Sequence, residues 1–81
     1  MASTISGKQL IRLLQADGWV IRRQAKHGIS LSKSFGDHTK VTVVPDTRAS
    51  LPSGTLMAIL GQKQTGLGRK GFHNLIDKYG V

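Results

Sequence analysis

Apolar positions change period along the chain, from helical to alternating and back to helical. Leu10, Leu13 and Leu14 recur at the spacing of one helix face, while Lys8, Arg12 and Gln15 fall elsewhere. Ser6 and Gln9 have the form of a capping box, and Ile5 and Leu10 occupy the two positions of a hydrophobic staple. With Gly18 as the stop, the pattern predicts a first helix from about Gly7 to Asp17. Three short extended segments follow. Trp19 to Arg23 is rich in β-formers, Ile29 and Leu31 alternate with Ser30 and Ser32, and Thr39 to Val44 is β-branched almost throughout. The links between them, Ala25-Lys26-His27-Gly28 and Phe35-Gly36-Asp37-His38, are too short for crossovers and predict an antiparallel meander.

Helical spacing returns after Pro45. Leu56, Ile59 and Leu60 form a stripe that ends near Gly61, with Pro52 suited to the first turn because its missing N–H costs nothing there. Phe72, Leu75, Ile76 and Tyr79 define a third helix, with Gly68 expected as its N-cap, Leu67 and Phe72 as a staple, and Gly80 as its end. The predicted order is α-β-β-β-α-α. This is an α+β fold in which the stripes of the first two helices cover one face of a three-stranded antiparallel sheet. Residues 1–81 read as a single domain, because 81 residues support one core. Trp19, directly after a helix stop, reads as a core anchor rather than a base-stacking platform.

Charge then narrows the class of partner. Twelve Lys and Arg stand against four Asp, with no Glu, for a net charge of +8. Such a balance suits polyanions: nucleic acid, an acidic protein or an anionic membrane. No helix combines a basic face with a large exposed apolar one, which argues against the membrane. No segment reads as a signal peptide or membrane span, and a cytoplasmic protein is expected. The chain has no cysteine, and its three histidines do not pair at helical ligand spacing, so neither a metal nor a cofactor is expected. Gly66-Leu67-Gly68 with Gly71 imitates a dinucleotide fingerprint, but it follows no strand of a parallel unit.

Several stretches together resemble the HicA toxin family. Ser6-Gly7-Lys8 leads into a leucine-rich helix closed by Gly18-Trp19. Arg23-Gln24 precedes His27 across a short link, and Val41 to Val44 with Pro45 resembles the family's third strand. Gly54-Thr55-Leu56 with Ile59-Leu60, and then Thr65-Gly66-Leu67, resemble the later signatures. The resemblance implies a fold like the double-stranded RNA-binding domain, α-β-β-β-α, here with an additional C-terminal helix. It implies metal-independent endoribonuclease cleavage of mRNA by a single histidine, and neutralisation by an acidic antitoxin of the HicB type. His27 aligns with that histidine. The common Gly-Ser-His-His is replaced by Ala25-Lys26-His27-Gly28, so Lys26 stands at the serine position and Gly28 at the second histidine.

The residues around His27 suit that chemistry. RNA supplies its own nucleophile, the 2′-OH, so the protein must move protons and steady charge at phosphorus. An imidazole with an ordinary pKa of about 6.5 exists in both forms near neutrality. Arg22, Arg23 and Lys26 precede it and Lys33 follows, a set of cations able to hold the scissile phosphate. Gly28 removes side-chain bulk where an RNA backbone would approach. His38 and His73 read as solvated. Arg69 and Lys70 open the third helix, where acids are preferred, and so suggest phosphate or acidic-partner contact. The rival reading is a non-catalytic RNA-binding module of the same fold, which would lose nothing when His27 is replaced.

Overall fold

The computed structural model describes residues 5–26 and 28–80. The elements are α1 (Gly7–Ala16), β1 (Val20–Ala25), β2 (Gly28–Ser34), β3 (Thr39–Val44), α2 (Ser53–Leu60) and α3 (Gly68–Tyr79). The strands form one antiparallel sheet in the order β1-β2-β3. This is the α+β arrangement that the periodicity predicts, with a third helix after the α-β-β-β-α core.

α1 starts as its sequence dictates. The Ser6 hydroxyl accepts from the Gln9 backbone N–H at 3.1 Å, and the Gln9 side-chain oxygen accepts from the Ser6 N–H at 2.9 Å. The helix ends at Ala16, with Asp17 as its C-cap rather than its last residue. Gly18 adopts φ +100°, which a side chain would oppose. The N–H groups of Gly18 and Trp19 then return to the carbonyls of Gln15 and Leu14, closing the helix in a Schellman arrangement. This turn drops Trp19 into the core, 2% exposed and edge-on to Phe35 at 6.3 Å.

The sheet buries one face. Ile29 and Leu31 of β2 and Thr42 and Val44 of β3 point toward the helices, while β1 is exposed along its whole length. α1 and α2 pack on β3, and α3 closes the far side against both helices. Leu10, Leu13, Leu14, Ile59, Leu60, Phe72 and Leu75 complete the core. The loop between α2 and α3 is pinned to β3: the Thr42 hydroxyl donates to the Gln64 side chain at 2.6 Å, and the Lys40 ammonium to the Gln62 carbonyl at 3.1 Å. Thr65 donates to the Ile59 carbonyl at 2.8 Å, tying the same loop back onto α2.

The caps of the later helices differ from expectation by one residue each. Pro52 is the N-cap of α2 rather than part of its first turn, and its carbonyl accepts from Leu56 N–H at 2.9 Å. Leu67, not Gly68, caps α3, because the first helical bond runs from Gly71 N–H to the Leu67 carbonyl. At the start of α1, a Cβ on Gly7 would overlap the carbonyl oxygen of Pro45. Glycine here lets the helix pass directly over the segment that leaves β3.

Candidate nucleic-acid interface

The β1–β2 hairpin is not regular, and its irregularity organises the cations. Val20 pairs with Ser32 and Ile21 with Leu31, but the next partners are Arg23 with Ser30, then Gln24 with Ile29 and Ala25 with Gly28. One extra residue, Arg22, is therefore inserted in β1 as a β-bulge. Cross-strand partners share a face, and Leu31 and Ile29 face the helices. Val20 and Arg23 thus lie on the opposite, helix-free face with Ser30 and Ser32. Arg22 lines an open concavity of about 400 Å³ together with Val20, Ser32, Ser34 and Thr39 of that face, and with Gly18 and Lys33. Strict alternation would send two successive arginines to opposite faces; the bulge gathers both beside the serine row of β2.

Lys26 continues this series, exposed at the hairpin end. His27 lies outside the described residues. Among the described residues, Arg22, Arg23 and Lys26 make no ion pair; Lys8 pairs with Asp46, Lys33 with Asp17, and His38 with Asp37. Among the described residues, the cations on the helix-free face of β1 and at Lys26 are therefore not paired with an acid.

Gly28 is buried and closely confined. A Cβ there would lie 2.6 Å from the Val44 carbonyl oxygen and 3.1 Å from a Val43 methyl. Its missing side chain makes room for β3 of the same chain, a structural reason that the sequence did not disclose. Lys33 is separated from this end by five residues of β2, about 16 Å at strand rise. Its ammonium lies 2.7 Å from the Asp17 carbonyl and 3.2 Å from the Asp17 carboxylate. The structure thus brings Arg22 and Arg23 together with Lys26 beyond them; Lys33 lines the same concavity as Arg22, but its ammonium is held by Asp17.

At the β2–β3 turn the structure groups side chains that the sequence reads separately, among them His38, read as solvated. Phe35 and His38, flanking the β2–β3 turn, stack with centroids 5.5 Å apart and planes 13° from parallel. The Asp37 carboxylate lies 2.8 Å from His38 Nδ1, within hydrogen-bond distance. Strand alternation of Ser30, Ser32 and Ser34 against Ile29 and Leu31 was the available signal for a hydroxyl-lined face. The short link Phe35-Gly36-Asp37-His38 signalled the turn that brings the two rings together, though not their stacking. His73 is exposed on α3. Among the described residues no group of three His, Cys, Asp or Glu is placed to hold a metal ion. No helix of the described residues is long and apolar enough to cross a membrane.

Fold and surface together define a small α+β domain with one bare, basic sheet face. The model of the HicA toxin family of bacterial toxin–antitoxin systems matches residues 7–67, most of the chain, and the chain belongs to that family. It is a toxin of a toxin–antitoxin system, with an antitoxin for a partner. No curated protein and no solved structure gave a significant match.

Proposed function

We propose that this toxin is a metal-independent endoribonuclease that cleaves mRNA, with His27 in the chemical step. The observation that carries this reading is the collection of Arg22 and Arg23 on one helix-free face, followed by Lys26 in the turn, directly before His27 in the chain. These cations bind the RNA backbone and oppose the charge that develops at phosphorus as the 2′-oxygen attacks. The imidazole takes or returns the proton, a contribution of typically ~10²–10⁴-fold. No cofactor enters the scheme, because the nucleophile belongs to the substrate. The antitoxin is an acidic protein of the HicB type that neutralises the same cations.

The test compares wild type with His27→Ala on single-stranded RNA in the presence of EDTA, with binding to the same RNA measured in parallel. The expected result is cleavage by wild type only, with binding retained by both. Salt-sensitive binding by both and cleavage by neither would leave a non-catalytic RNA-binding module.

A further inference from the structure

The end of the sheet remote from Lys26 carries a different set of groups. Ser32, Ser34 and Thr39 line the open concavity with the Arg22 side, and Lys33 lines it too. Ser34 and Thr39 are the last pair of β2 and β3, and Phe35 and His38 follow them at the turn, so the stacked rings come next along the strands without lining the hollow themselves. Lys33 joins the two, with its ammonium 5.5 Å from the Phe35 ring centre. The buried Trp19 props the Phe35 ring edge-on from beneath. Phe35 nevertheless remains 43% exposed and the His38 side chain 56% exposed. The two acids at this end are already engaged, Asp17 by Lys33 and Asp37 by His38, whereas Arg22 makes no ion pair among the described residues.

Phe35 and His38 together present to solvent a ring surface that a flat partner can cover. Guanidinium and hydroxyl donors next to it suit a phosphate and a ribose. A base in a duplex is stacked on its neighbours and cannot reach such a ring, but an unpaired base can. We propose that this end of the sheet is a second contact site for single-stranded RNA. A base extends the Phe35–His38 stack, and the strand runs from there along the hydroxyls of Ser32, Ser34 and Thr39 to Arg22, the cation at which the two contact sites meet. The inference rests on the ribonuclease reading for the identity of the ligand. It adds that the chain grips its substrate at both ends of the β1–β2 hairpin, about 20 Å apart along β2. Substrate length then matters: an RNA too short to reach from the Lys26 turn to Phe35 loses the second grip.

The probe is a 2′-O-methyl octanucleotide, which offers no 2′-OH nucleophile, compared with an abasic octanucleotide of equal charge. Wild type is expected to bind the base-bearing strand at least about fivefold more tightly, the lower end of stacking on one aromatic platform. His38→Ala, at an exposed position, loses that preference while keeping salt-dependent binding. Phe35→Leu, which keeps an apolar contact for Trp19, loses it as well. A wild-type chain indifferent to the bases, or a His38→Ala chain that keeps its preference, overturns the proposal. The two readings fail separately. Base-dependent binding without cleavage of ordinary RNA removes the ribonuclease alone, and cleavage without base preference removes the second grip alone.

Discussion

Lys33 closes the C-terminal end of α1 through Asp17: its ammonium lies 2.7 Å from the Asp17 carbonyl oxygen and 3.2 Å from the carboxylate. α1 has no basic residue in its last turn, and Asp17 adds a negative charge at the negative end of the helix dipole. A cation delivered from β2 offsets both. Lys33→Met is therefore expected to lower stability by about 1 kcal/mol, within the range for partly buried charges at a helix terminus. Urea denaturation at low and moderate salt checks this, and the difference should shrink as salt rises. An unchanged midpoint would show that the contact contributes nothing in solution.

Gly28 and Gly54 should respond to alanine in opposite directions. At Gly28 the new methyl would press on the Val44 carbonyl, and overpacking of this kind typically costs about 1–3 kcal/mol. At Gly54, on the exposed first turn of α2, a Cβ meets nothing within 4 Å. Alanine there is expected to stabilise by about 0.5–1 kcal/mol through lower unfolded-chain entropy and better helix propensity. Thermal melts of the two variants side by side decide the matter; stabilisation by both would mean that β3 yields easily.

The arginines gathered by the bulge should be read through salt dependence. Each phosphate contact on a single strand contributes about 0.7 to the slope of log affinity against log salt. Arg22→Gln and Arg23→Gln are each expected to reduce that slope by about this amount, with similar losses for unrelated RNA sequences. A steep loss confined to one sequence would instead assign base readout to the arginine.

The capping box at α1 is a local contribution to stability. Ser6→Ala leaves the Gln9 N–H without its acceptor and should cost about 1 kcal/mol, the usual effect of removing an N-cap side chain. Denaturant titration measures it, and Ser6→Asp should recover most of the loss.

Antitoxin binding should carry the signature of long-range attraction. A toxin with net charge +8 meeting an acidic partner is expected to associate faster at low ionic strength, while dissociation changes less. Stopped-flow association across a salt series provides the reading. A rate indifferent to salt would place the contact on uncharged surface.

What the sequence determined by itself was the local and the periodic. Ser6, Gln9 and Gly18 bracketed α1, because caps are made by residues three or four apart. Ile29 and Leu31 alternating with serines identified which face of β2 is buried, and twelve cations against four acids implied an anionic partner. Tertiary structure alone decided which of those cations act together. A bulge has no marker in Val20-Ile21-Arg22-Arg23; it shows only in the pairing, where Ile21 meets Leu31 and Gln24 meets Ile29, leaving one residue over. Lys33 looked like part of the same cluster, yet it is committed to Asp17, sixteen positions earlier, by the way α1 ends over the sheet. Gly28 likewise looked like an opening for a ligand and proved to be space for Val44. In each case the deciding contact joins residues from different elements, so no local pattern in the sequence announces it.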